Sequence, residues 1–181
     1  MVFHFRFQKA IQAAAFLLQR QRGEMNYMRL LKLLYIADRE SLKETGYPIT
    51  GDHVIAMPRG PVLNHVYDLI RGRHPRTGQW DEFLRRDHYN LILVKDPGKG
   101  GLSDYEVRKL EEIADRYAPY DEWDMVNISH QLPEWQKNDP GTSSRPISVE
   151  DILAAVGRDK DAASIAQDEA DQAAYDRLFG E

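Results

Sequence analysis

No cysteine occurs among the 181 residues. That absence excludes disulfides, thiol nucleophiles, iron–sulfur clusters and cysteine-based zinc sites together, leaving histidine and carboxylates to hold any metal. No apolar run approaches the roughly 20 residues that a membrane span requires. The stretch Ala13-Ala14-Ala15-Phe16-Leu17-Leu18 is short and runs into Gln19-Arg20-Gln21-Arg22, so it reads neither as a span nor as a signal-peptide core. The expectation is a cytoplasmic chain without membrane association. A global positive field is also lacking, because the formal net charge is −5, so nucleic acid would need a local basic patch.

What is present is ordinary globular material: 42% hydrophobic and 29% charged residues, enough to bury one core and too few for two catalytic domains. The charge is uneven. Residues 158–181 hold seven acids against Arg158, Lys160 and Arg177, which places −4 of the −5 there. The chain therefore divides into a domain over residues 1–157 and an acidic, helical appendage over 158–181.

Periodicity supplies the elements. Phe7, Ile11, Ala14 and Leu18 predict an amphipathic helix ending near Gly23, and a second helix runs from an Asn26 N-cap to Gly46, apolar almost all round and so central. His53 to Met57 reads as a strand, with Pro61 as the first residue of a following helix at a strand-to-helix corner. A second strand spans Tyr89 to Lys95. Ser103 and Glu106 form a capping-box pattern, Asp121 opens a short helix, Pro133-Glu134-Trp135 forms one turn, and Ser148 caps a helix after the loop from Asn138 to Pro146. The fold class is α+β, a predominantly helical single domain with a small β-sheet of short strands.

Catalytic and cofactor signatures are missing. Gly98-Lys99-Gly100-Gly101 matches neither phosphate-loop spacing, and the six histidines lie in six different segments without a ligand pattern. His130 and Glu134 are four apart, but Pro133 interrupts the helix that would align them. No serine sits in a nucleophile elbow, and Asp121 with Asp124 are placed by helix capping. No catalytic residue, metal or cofactor is expected, and the chain reads as a non-enzyme. The basic stretch from Arg71 to Arg86 carries Arg71, Arg73 and Arg76 with Trp80 and Phe83 interleaved. It could contact nucleic-acid phosphates, but arginine and aromatic anchors in an acidic chain point more to a protein partner.

Three blocks in order, Leu31 to Arg39, Tyr47 to Gly51 and Ala56 to Val62, resemble the Panacea domain of SocA-like antitoxins. Leu102-Ser103, Ser129-His130, Pro133-Glu134-Trp135 and Ile147 to Leu153 continue the likeness, which covers residues 5 to 156. The resemblance implies a mostly helical bacterial or phage domain that neutralises a cognate toxin by direct binding. In one branch the toxin is also delivered to the ClpXP protease. Tyr35, Asp38, His130 and Trp135 are expected to hold the fold, and Arg59, Gly60, Pro61, Arg71, Arg73, Arg76 and Trp80, with the acidic C-terminal helix, to form the partner surface, because aromatic and arginine anchors are what interfaces use. The alternative is a nucleic-acid-binding regulator using Arg71 to Arg86.

Overall fold

The computed structural model describes residues 1–179; Gly180 and Glu181, the last two positions of the acidic appendage, lie outside the described residues. Helix α1 (Phe7–Gln19) forms on the expected stripe, and Phe7, Ile11, Ala14 and Leu18 are all buried. Strand β1 (Glu24–Asn26) leads into α2 (Tyr27–Thr45). Asn26 Oδ1 caps α2 by accepting from the backbone N–H groups of Met28 and Arg29, at 2.9 and 3.3 Å. Gly46 ends it in the left-handed region at φ 85°, where a Cβ would be strained.

Strands β2 (Val54–Met57) and β3 (Gly60–Leu63) follow, then α3 (Asn64–Ile70) and α4 (Thr77–Asp81). A second hairpin, β4 (Leu84–Asp87) and β5 (Asn90–Leu93), precedes α5 (Asp104–Arg116) and α6 (Glu122–His130). The chain ends with α7 (Pro133–Lys137), β6 (Arg145–Ile147), α8 (Val149–Ala155) and α9 (Ala162–Phe179). Two three-stranded antiparallel sheets result, ordered β1-β5-β4 and β3-β2-β6. The α+β, mostly helical architecture is the expected one, with two small sheets in place of one.

Helix α2 is the axis of the molecule. Leu30, Leu31, Leu33, Leu34, Tyr35, Ile36 and Ala37 are all buried because α1, α5, α6 and β3 pack around it. An all-round apolar helix is stable only in such a position. Both expected capping devices on α5 and α6 are made: Ser103 with Glu106, and Asp121 with Asp124.

The strand-to-helix corner at Pro61 requires correction. Pro61 lies in β3 opposite Ala56, and Met57 pairs with Gly60 across the two-residue turn Pro58-Arg59. Gly60, directly after the turn, sits at φ 96°, in the left-handed region that glycine enters without steric cost. Proline is tolerated there because β3 is an edge strand, where a missing N–H breaks no ladder. The expected loop Asn138 to Pro146 likewise ends in β6, which pairs with β2, and the expected strand Tyr89 to Lys95 is the second arm of a hairpin. Within the appendage, α9 touches the body through buried Ile165 and through Glu169, which accepts from His4 N–H. Tyr175, Leu178 and Phe179 at its far end are exposed.

Candidate functional site

A line of polar side chains runs down one face of α2, spaced three or four residues apart as helix geometry requires. Arg29 donates from Nε to Tyr120 O at 2.8 Å and from Nη2 to Tyr117 O at 3.0 Å, tying the end of α5 to α2. Lys32 Nζ donates to Pro61 O at 2.7 Å. Tyr35 OH donates to Glu134 Oε1 at 2.6 Å, and Arg39 Nε donates to the same oxygen at 2.6 Å. Asp38 Oδ1 accepts from the N–H groups of Ile49 and Thr50, each at 2.9 Å, and its second oxygen takes the Thr50 hydroxyl. Burial raises the Asp38 carboxyl to about 7 in spite of those donors, and holds the Tyr35 phenol well above its ordinary value.

Glu134 and its neighbour Trp135 connect this line to the β2–β3 turn. Trp135 Nε1 donates to Met57 O at 3.1 Å, and the His130 ring stacks on the Trp135 indole at a centroid distance of 4.2 Å. His130 Nε2 lies 3.0 Å from Pro58 O. The turn is thus held from below by α6 and α7, and it presents Arg59 outward. Arg59 in turn lies over the Trp123 ring, with its Cζ 5.1 Å from the centroid.

Beside that turn is a groove of about 540 Å³, bounded by the start of α2, the β2–β3 hairpin, α3, the β4–β5 turn and the start of α6. Its walls are aromatic and apolar: Tyr27, Tyr67, Tyr89 and Trp123, with Leu31, Met57 and Val62. Trp123 and Tyr89 are 52% and 74% exposed, so large apolar surface faces solvent here. Lys32 lines the floor yet is 0% exposed. Among the described residues its ammonium has one hydrogen-bond acceptor and no carboxylate within ion-pair range. Loss of hydration therefore lowers Lys32 to about 7.

The sequence-predicted contact residues separate in space. Arg59 and Gly60 line the groove, and buried Pro61 stands behind Gly60 in the same wall. Arg71 and Arg73 flank it, their guanidinium carbons 5.8 and 5.3 Å from the Tyr67 ring centroid. Arg76 does not join them; it lies over Phe7 at 3.6 Å. Trp80 is a correction, because it is 0% exposed and cannot be a contact residue. Helix α4 packs between α3 and β4 and turns the indole inward. The supposed stacking platform between the arginines is therefore absent, which weakens the nucleic-acid alternative.

Trp80→Ala should cost about 3–5 kcal/mol of stability, the usual range for emptying a buried aromatic site. Trp80→Phe should cost less, since Trp80 Nε1 is buried without an acceptor among the described residues. Urea denaturation checks both; a loss below about 1 kcal/mol for alanine would return Trp80 to the surface.

Sequence reasoning passed over Lys32, Tyr27, Tyr67, Tyr89 and Trp123. For Lys32 the signal existed: a lysine inside Leu30-Leu31-Lys32-Leu33-Leu34 on a helix buried all round has no solvent face. The aromatics gave none, because they come together only through tertiary structure. Among the described residues no group of three or more histidine or carboxylate side chains could hold a metal, and no helix is long and apolar enough to cross a membrane.

Fold and groove together define an α+β domain with an aromatic, cationic recess braced by buried polar bonds. The family model described as Antitoxin SocA-like, Panacea domain, matches residues 30–136, more than half of the chain, and the chain belongs to that family. The match is narrower than the resemblance over residues 5 to 156, but it takes in α2 from Leu30, both hairpins and Trp135. Membership ties the chain to toxin–antitoxin systems and implies a toxin as its partner. No curated protein and no solved structure matches the chain.

Proposed function

We propose that this chain is an antitoxin that neutralises its cognate toxin stoichiometrically, by binding part of the toxin's surface in the groove, without turnover and without a cofactor. The observation that carries the reading is the exposed aromatic groove with Arg59 at its rim, which lies within the family-matched region apart from Asn26, Tyr27 and Met28. Aromatic and arginine anchors around a recess are what protein interfaces use for most of their binding energy. The buried bonds of Tyr35, Arg39 and Glu134 pre-organise the wall behind it, which limits the ordering cost of association. Delivery of the captive to ClpXP would need a second surface away from the groove; the exposed tip of α9, with Tyr175, Leu178 and Phe179, is one.

Co-expression with the toxin encoded beside it tests the reading. The wild-type chain should restore growth. Arg59→Ala with Trp123→Ala should fail to restore it while folding normally, because both side chains project into solvent at the rim. Equal rescue by the double variant would remove the groove from the contact. Rescue that disappears in cells lacking ClpX would show that proteolysis completes neutralisation.

A further inference from the structure

The antitoxin reading names a toxin but not what the groove recognises. We propose that it is a receptor for a carboxylate borne beside an apolar side chain in an extended segment of the partner protein, with Lys32 and Arg59 supplying the positive charge. The inference rests on the antitoxin reading and deepens it.

Lys32 carries the argument. A buried cation is costly unless it is paired or its donors are met; buried Arg29 gives its guanidinium to the Tyr117 and Tyr120 carbonyls, and other buried or half-buried cations have carboxylates. Arg39 has Glu134, and Lys109 has Glu44 and Glu112 at 2.7 and 2.6 Å. Lys32 has Pro61 O alone, so two of its three ammonium protons have no protein acceptor among the described residues. Unlike those pairs, it belongs to the lining of the groove, just beneath a surface that leaves it 0% exposed. An incoming carboxylate would supply the missing partner.

Gly60 keeps the approach clear. A Cβ at that position would come within 3.1 Å of Lys32 Nζ and 2.2 Å of Ser129 Oγ, so any side chain there would crowd the space beside the ammonium. Arg59 stands at the rim, stacked on Trp123 and in no ion pair among the described residues. Its guanidinium keeps its donors free for a second carboxylate oxygen or a partner carbonyl. The aromatic walls suit an apolar side chain next to that acid. Glu122, the acid among the lining residues, repels a second carboxylate and so sets the direction in which a segment lies.

Proton linkage follows. The charged and titratable groups that share the groove lining with Lys32 are Arg59 from the hairpin, Tyr67 from α3, Tyr89 from the β4–β5 turn and Glu122 from α6, with Tyr27 on its own helix. Lys32 titrates near 7 in the free protein. A bound carboxylate raises that value, so binding takes up a proton and affinity weakens as pH rises above 7.

The test uses the full chain and two probes, acetyl-Gly-Phe-Glu-Gly-amide and the same peptide with glutamine for glutamate, followed by two-dimensional NMR. The glutamate peptide should shift the Gly60 and Trp123 resonances and bind at least about tenfold more tightly, equivalent to 1.4 kcal/mol. Its affinity should fall between pH 7 and 9 while that of the glutamine peptide stays level. Lys32→Met should erase the difference between the two. Equal binding of both peptides to the wild-type chain, or binding of neither, overturns the inference without recourse to any variant. Growth rescue is scored separately, so neutralisation accompanied by equal peptide binding removes the carboxylate and leaves the antitoxin reading in place.

Discussion

Glu134→Ala should lower the free energy of unfolding by about 3–5 kcal/mol, the range for removing one partner of a buried ion pair. Glu134 is 1% exposed and holds two donors at once, the Tyr35 hydroxyl and the Arg39 guanidinium. Its removal strands a guanidinium and a phenol in a site with little water. Glu134→Gln should cost less, since an amide oxygen still accepts from one of them. Arg39→Met in the Glu134→Ala background should cost far less than in wild type, because the charge it removes has already lost its hydrogen-bonded partner and keeps only Glu40 at 3.7 Å. The damage should also reach the groove, for Glu134 anchors the helix whose Trp135 holds the β2–β3 turn. Urea denaturation gives the stabilities, and a loss below about 1 kcal/mol would mean that the three side chains do not act as a unit.

Lys32→Met should do the opposite below neutral pH and stabilise the protein. The folded-state value of Lys32, about 7, lies below the unfolded lysine value of about 10.4. Between those values the unfolded chain binds more protons, so the Lys32 contribution to stability rises as pH increases from 7 toward 10. The span corresponds to an upper bound on the order of 5 kcal/mol. Lys32→Met should remove this rise and be the more stable protein at pH 6, less about 1 kcal/mol for the acceptor lost to Pro61 O.

Asp38 acts below that window. Its folded value is raised to about 7, so its contribution is present below pH 4 and lost as pH climbs through 7. His65, raised by its bond to Asp52, loses its contribution as pH rises through its own folded value. The difference between wild type and variant, measured by denaturant melts from pH 6 to 9.5, cancels both. Parallel curves would show that Lys32 is hydrated in the folded state. A variant that is more stable but blind to the glutamate peptide would show why an unpaired charge sits at the floor of the groove.

Much of the fold is local and was readable. Asn26 and Gly46 bound α2 because a side-chain oxygen and a left-handed glycine act within one turn of the helix end, and Ser103, Asp121 and Ser148 cap their helices for the same reason. The hairpin at Pro58-Arg59 is ambiguous in the sequence because proline before an apolar run suits both a helix start and an edge strand, and only the pairing of β3 with β2 decides. Strands β1 and β6 are three residues each and exist through partners 66 and 91 positions away, Met25 with Leu91 and Pro146 with Ile55, so no local pattern marks them.

The site was legible in part. Arg59 and Gly60 were found through the family's sequence block, whereas the groove draws on Tyr27, Tyr67, Tyr89 and Trp123, which are scattered along the chain. The arginines around Trp80 suggest an outward side chain, although an indole flanked by charges on a short helix can as readily point into the core, as it does here.

The most direct measurement is a titration of the purified toxin, at a concentration well above the dissociation constant, with this chain while residual toxin activity is recorded. Stoichiometric masking predicts a straight decline to zero that breaks at a fixed molar ratio, and a shallow curve without a break for the Arg59 and Trp123 double variant. Complete inactivation by substoichiometric amounts of the chain, increasing with time, would contradict it.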